Sequence, residues 1–76
     1  MVNAKEIGAI VQQTRKQLGI TQRALSMTSG TGLRFITDLE KGKPTCQLEK
    51  TLLVLQTLGI KLTLVPPVLV KGERDE

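Results

Sequence analysis

The stretch Thr21–Gly42, TQRALSMTSGTGLRFITDLEKG, limits what this chain can fold into more than any other. It reads as two short helices joined by a tight turn. Thr21 stands just before helical spacing begins, and its hydroxyl can accept from an orphan N–H of the first helix. Ala24, Leu25 and Thr28 give that helix one inward face. Ser29-Gly30 interrupts the pattern, and Gly30 can take the positive φ that a sharp inter-helix turn needs. Thr31 and Gly32 open the second helix, whose apolar stripe is Phe35, Ile36 and Leu39. Leu33, Arg34, Thr37 and Asp38 are left facing outward. Gly42 ends the unit, with Lys41 and Lys43 favourably placed at a helix C-terminus.

The flanking segments extend this unit on both sides. Asn3 followed by Glu6 has the spacing of a helix start. Ile7, Ile10, Val11, Thr14 and Leu18 continue at helical spacing, with Arg15 on the inward edge and Gly19 just past the end. After the central unit, Pro44 stops helix propagation and Thr45 is the expected cap of a further helix. In that helix Leu48, Leu52, Leu55 and Leu58, with Thr51 beside them, are expected to close the core. Leu53 and Val54 make it apolar nearly all round, which points to burial against something more. Beyond Gly59, Ile60, Lys61, Leu62, Thr63, Leu64 and Val65 alternate with period two and read as a strand. A lone strand leaves its backbone groups unpaired. This one must pair with another chain or with itself across a two-fold axis, and the expected arrangement is antiparallel pairing with its own copy in a homodimer. Pro66-Pro67 ends it, Val68-Leu69-Val70 is a second short apolar run, and KGERDE reads as a solvated tail. The expected organisation is one domain over residues 1–65, including the dimerisation strand, and a short tail over 66–76.

At 76 residues the chain is one small domain. Such a chain buries only about 60% of its unfolded surface, so association would add useful burial. Phe35 is its one aromatic residue, so the core must be aliphatic. Net charge is +4 and unevenly spread: residues 71–76 hold two basic and three acidic groups, and residues 1–70 hold nine and four. A basic body suits a polyanionic partner. One cysteine and no histidine exclude an intrachain disulfide and a Cys/His zinc site. Cys46 reads as a small hydrophobe near a helix start. No Ser/His or Cys/His pair, Gly-rich phosphate loop or paired carboxylate supports an enzyme, and no cofactor or metal is expected. A module for single-stranded nucleic acid needs aromatic platforms, which one core Phe does not supply. With no signal peptide or membrane-length apolar run, the expected location is cytoplasmic, away from membranes.

The register of Thr21-Gln22, Leu25, Gly30, Ile36 and Leu39-Glu40 before Gly42 resembles the helix-turn-helix of the lambda-repressor/Cro (XRE-type) family, over roughly residues 5–60. That family usually has an acidic residue at position 23 or 24 and a polar one at 32, where this chain has Arg23, Ala24 and Gly32. The resemblance implies a mainly α, lambda-repressor-like DNA-binding domain of four to five helices, here with the C-terminal strand pairing across a dimer. It implies an ion pair between Arg15 and Glu40 that fixes two helices. It also implies that the second helix of the motif enters the major groove of double-stranded DNA at a palindromic operator. The DNA-contacting residues would be Gln22, Arg23, Thr31, Gly32, Leu33, Arg34, Thr37, Asp38, Lys41 and Lys43. Gln22 would donate to phosphate or to side chains of the reading helix, and the backbone N–H groups at Thr31 and Gly32 would approach phosphate. Arg34 is the best base reader, because its fork matches guanine O6 and N7. Leu33 suits a thymine methyl, Thr37 a groove edge or the backbone, and Lys41 and Lys43 suit phosphate. Asp38 would accept from cytosine N4 or shape the Arg side chains nearby.

Four helices followed by LGIKLTLV resemble, within that family, the HipB-type antitoxins. Their small dimers bind operator DNA and hold a HipA-like kinase toxin. The implied function is a repressor and antitoxin of a HipBA-like type II toxin-antitoxin system. The alternatives are a stand-alone XRE-family regulator and a protein-interaction module that uses the helix-turn-helix only as scaffold.

Overall fold

The computed structural model describes residues 2–68. Four helices follow one another: α1 (Ala4–Gln17), α2 (Gln22–Ser29), α3 (Leu33–Lys41) and α4 (Leu48–Leu58). The first two are capped by side chains. Asn3 Oδ1 accepts from the Glu6 N–H at 2.9 Å, and Thr21 Oγ1 accepts from the Ala24 N–H at 3.0 Å. Gly30 takes φ +73° and closes the turn between α2 and α3. The core is aliphatic: Val11 from α1, Leu25 from α2, Ile36 and Leu39 from α3, and Val54, Leu55 and Leu58 from α4. Ile7, Ile20, Phe35, Cys46 and Ile60 pack around it, half-buried.

α1 lies mainly across α3. Gly8 makes that crossing possible. A Cβ there would overlap the Leu39 carbonyl oxygen and come within 3.0 Å of the Glu40 carbonyl oxygen. Both are backbone atoms, so even alanine would push the helices apart. A glycine adds nothing to apolar periodicity, so this contact carries no signal in the hydrophobic pattern.

The inward faces differ in detail from those that apolar spacing suggests. In α1 the buried set is Gly8, Val11 and Arg15, while Ile10 and Leu18 are exposed. In α2, Leu25, Ser26 and Ser29 are buried and Thr28 is exposed. In α4 the core face is Thr51, Val54, Leu55 and Leu58, and Leu48 and Leu52 are exposed. Leucines recur on several sides of α4, so spacing alone does not select the face. A second correction concerns its start. Thr45 does not cap α4, whose N-cap is Gln47 without a side-chain hydrogen bond.

No strand forms among the described residues. Ile60 packs on the core, while residues 61–68 are exposed. A single chain offers residues 60–65 no ladder to join, and β pairing needs a second strand. Leu64 and Val65 are 81% and 83% exposed, so this chain's own helices do not cover them. Leu69, Val70 and the KGERDE segment lie outside the described residues.

Candidate nucleic-acid interface

Glu40, at the end of α3, ties three helices together. Its side chain is 2% exposed, and that of Arg15 is 10% exposed. Arg15 Nε donates to Glu40 Oε2 at 2.7 Å, and Nη2 donates to Oε1 at 3.1 Å. This is the bidentate fork that fixes orientation as well as charge. Arg15 Nη1 donates to the Ile20 carbonyl at 2.9 Å, so the guanidinium also holds the α1–α2 link. The hydrogen bond to Glu40 is the main reason the Arg15 pKa rises further above its ordinary value. From α2, Gln22 Nε2 donates to Glu40 Oε1 at 3.0 Å. That bond sets the direction of the Gln22 amide and leaves it one hydrogen for a further acceptor. The apolar pattern cannot reveal it.

The turn before α3 is held by hydroxyls. Ser29 Oγ donates to the Leu25 carbonyl at 2.8 Å, and its oxygen lies 2.9 Å from Thr31 Oγ1. Thr31 is buried, and its N–H donates to the Ser26 carbonyl at 3.1 Å. The Thr31 N–H is thus spent on closing the turn and is not open to a phosphate, contrary to the expectation from its position. Gly32 is the N-cap of α3, with no side-chain cap. The first intrahelical bond runs from the Ile36 N–H to the Gly32 carbonyl at 3.1 Å. The N–H groups of Leu33, Arg34 and Phe35 precede it, at the positive end of the helix dipole. An uncapped start of this kind can take an anion.

The outward face of α3 carries Leu33, Arg34, Thr37 and Asp38. Leu33 is exposed, and the Arg34 side chain is 89% exposed. The Thr37 hydroxyl donates to the Leu33 carbonyl at 3.0 Å, so it is left as an acceptor. Asp38 Oδ2 lies 3.7 Å from Arg34 Nε and 3.4 Å from Lys43 Nζ. Arg23, Lys41 and Lys43 are exposed around this face. The outward face of α3 thus carries Leu33, Arg34, Thr37 and Asp38 together with the helix N-terminus, while Gln22 is tied to Glu40 at the far end of the helix. Thr31 is buried in the turn before α3. Residues 60–65 belong to a separate region.

Cys46 is half-buried, and its thiol pKa is raised by burial first and by the charge of Asp38 second. That makes it a poorer nucleophile than a free thiol. Among the described residues no group of three acidic, Cys or His side chains could hold a metal, and no helix is long and apolar enough to cross a membrane.

No family model matches the chain. It is 49% identical over 69 residues to the uncharacterized HTH-type transcriptional regulator y4mF of Sinorhizobium fredii, covering 91% of this chain and 86% of that one. It is 43% identical over 53 residues to an uncharacterized HTH-type transcriptional regulator of Haemophilus influenzae, covering 70% of this chain and 54% of that one. Among solved structures it is similar to HipB in a HipB-O4 20mer complex, with a TM-score of 0.78 at 23% identity over 87% of this chain and 93% of HipB. A HipB variant in an O2 20mer complex gives the same score and identity over 92% of its length. The four-helix fold is thus that of HipB.

Proposed function

The chain belongs to the HTH-type transcriptional regulators, and we propose that it is a sequence-specific repressor that binds palindromic double-stranded DNA as a homodimer in the cytoplasm. In this reading α3 lies in the major groove and Arg34 reads guanine. Gln22, Arg23, Lys41, Lys43 and the uncapped N-terminus at Gly32 and Leu33 hold phosphate. Leu33 and Thr37 contact base edges. The carrying observation is the contrast between the two sides of α3. Ile36, Leu39 and Glu40 are locked into the core, while the side chain of Arg34, on the opposite side, is 89% exposed. A rigid helix with one projecting guanidinium is a reading head.

Arg34→Ala is expected to weaken binding to the tightest duplex selected from a random pool by about 10–100-fold and to relax preference at one base pair. Lys43→Ala serves as the contrast, since a lost phosphate contact weakens all duplexes alike and reduces the salt slope by about one. If Arg34→Ala loses equally on selected and random duplex, Arg34 is a phosphate contact and the base-reading role is wrong.

The dimer reading draws on the segment Ile60–Val65. A mostly apolar hollow is lined by Val2, Ile7, Ile10, Leu55, Ile60, Lys61 and Leu62, and Leu64 and Val65, next in the chain, are exposed. Antiparallel pairing of this segment with its copy would satisfy the ladder and cover the hollow.

The further role, antitoxin to a HipA-like kinase toxin, draws on Leu53, which is 45% exposed on α4, and on Leu62, Leu64, Val65 and Val68, which are exposed after it. Exposed apolar surface of this kind marks interaction sites. HipB shares the fold, and the two copies in a dimer could each hold a toxin away from α3. Co-expression with the product of the neighbouring gene should yield a larger complex on size exclusion. A dimer eluting alone, beside a neighbour that does not inhibit growth, leaves the stand-alone regulator.

A further inference from the structure

The outward face of α3 carries its own counter-charge. Asp38 follows Arg34 by one helical turn, and its Oδ2 lies 3.7 Å from Arg34 Nε. The same oxygen lies 3.4 Å from Lys43 Nζ. Lys43 is delivered there by the backbone. Gly42 takes φ +85°, its N–H donates to the Leu39 carbonyl, and the Lys43 N–H donates to the carbonyl of Asp38 itself at 3.0 Å. This is a Schellman ending, which a side chain other than glycine would strain. A Cβ at Gly42 would also come within 2.8 Å of Lys5 Cα. The meeting of Asp38 with Lys43 is therefore built into the end of α3. The carboxylate is held back, 25% exposed, while Arg34 projects.

We propose that Asp38 is a specificity-determining positioning residue that restrains the two cations beside it and so favours base reading by Arg34 over indiscriminate phosphate binding. The inference rests on α3 being the DNA-reading helix. Exposed ion pairs at these distances add little to stability. Their effect lies in the choice between ligands. Phosphate neutralisation by Lys and Arg supplies non-specific affinity, and it is independent of sequence. A carboxylate facing the Nε edge of Arg34 leaves the terminal N–H groups pointing outward, where a guanine edge can accept from them. A phosphate approaching the same guanidinium meets the negative charge of Asp38. Lys43 can go fully to phosphate only by leaving that carboxylate with one cation fewer. The restraint thus falls more heavily on phosphate binding than on base reading.

The test uses the full chain and two probes. One is the tightest duplex of about 20 base pairs that the wild-type protein selects from a random pool. The other is poly(dA–dT), which presents no guanine. Affinities are followed by anisotropy across a salt series. Asp38→Asn keeps the shape and removes the charge. It should bind poly(dA–dT) roughly tenfold tighter, with a salt slope steeper by about one. Its affinity for the selected duplex should stay within about threefold, so discrimination between the probes falls. In an Arg34→Ala background the same substitution should lower discrimination much less than in the wild type, because only Lys43 is left for it to release. Matching thermal midpoints confine the comparison to folded proteins. A discrimination ratio that Asp38→Asn leaves as in the wild type overturns the proposal, and so does an equal fall with and without Arg34. Wild-type protein that does not distinguish the two probes contradicts the DNA-reading role of α3 itself, a different and recognisable failure.

Discussion

Glu40→Ala is expected to cost about 3–5 kcal/mol of folding stability. The carboxylate is 2% exposed and accepts from Arg15 Nε, Arg15 Nη2 and Gln22 Nε2. Removing it leaves the Arg15 guanidinium buried with only its bond to the Ile20 carbonyl. The guanidinium cannot shed its charge, so the full penalty of an unpaired buried cation remains. Small domains hold about 5–15 kcal/mol in total, and one of this size sits toward the lower end. The variant should therefore be near unfolding at room temperature. Replacing both partners by apolar residues of similar size, as in Arg15→Met with Glu40→Leu, should recover much of the loss. Urea unfolding checks this at one fixed protein concentration, which keeps the comparison sound for the proposed homodimer as well as for a monomer. A Glu40→Ala stability within about 0.5 kcal/mol of the wild type would mean that the buried pair does not hold the helices together.

The same contacts explain why some of this molecule is legible in sequence and some is not. The caps at Asn3 and Thr21 and the turn at Gly30 could be read directly, because each is a local rule acting within a few residues. The stripe of Ile36 and Leu39 was legible because α3 is strongly two-faced. The inward face of α4 was not, because leucine recurs around it and only the neighbouring helices decide that Val54 goes in and Leu48 stays out. Gly8 was silent because its role is the absence of a side chain beneath a carbonyl. Thr31 could be placed in the turn, but the loss of its N–H to Ser26 depends on how tightly α2 ends. The geometry around Asp38 depends on the backbone path after α3 as much as on residue types. The strand expected over Ile60–Val65 is a statement about two chains, and a single chain does not contain the partner that would form it.

That two-chain expectation also yields the largest effect on function. Pairing through residues 60–65 would set two copies of α3 about 34 Å apart, one helical turn of B-DNA. Both copies would then enter successive major grooves on one side of a palindrome. Neither half-site needs to bind tightly alone, because holding one brings the second copy of α3 to its site at high effective concentration. The phase between half-sites should therefore matter more than any single base. An insertion of about five base pairs turns the second half-site to the far side of the duplex. A dimer of fixed geometry can then use only one half.

The central claim, that paired copies of α3 read two half-sites at fixed spacing, is tested most directly by comparing the selected palindrome with the same palindrome carrying that insertion. Wild-type protein should bind the lengthened duplex at least about 100-fold more weakly, approaching its affinity for an isolated half-site. Equal affinity for the two duplexes would contradict the claim, because it would mean that each chain reads its half-site alone.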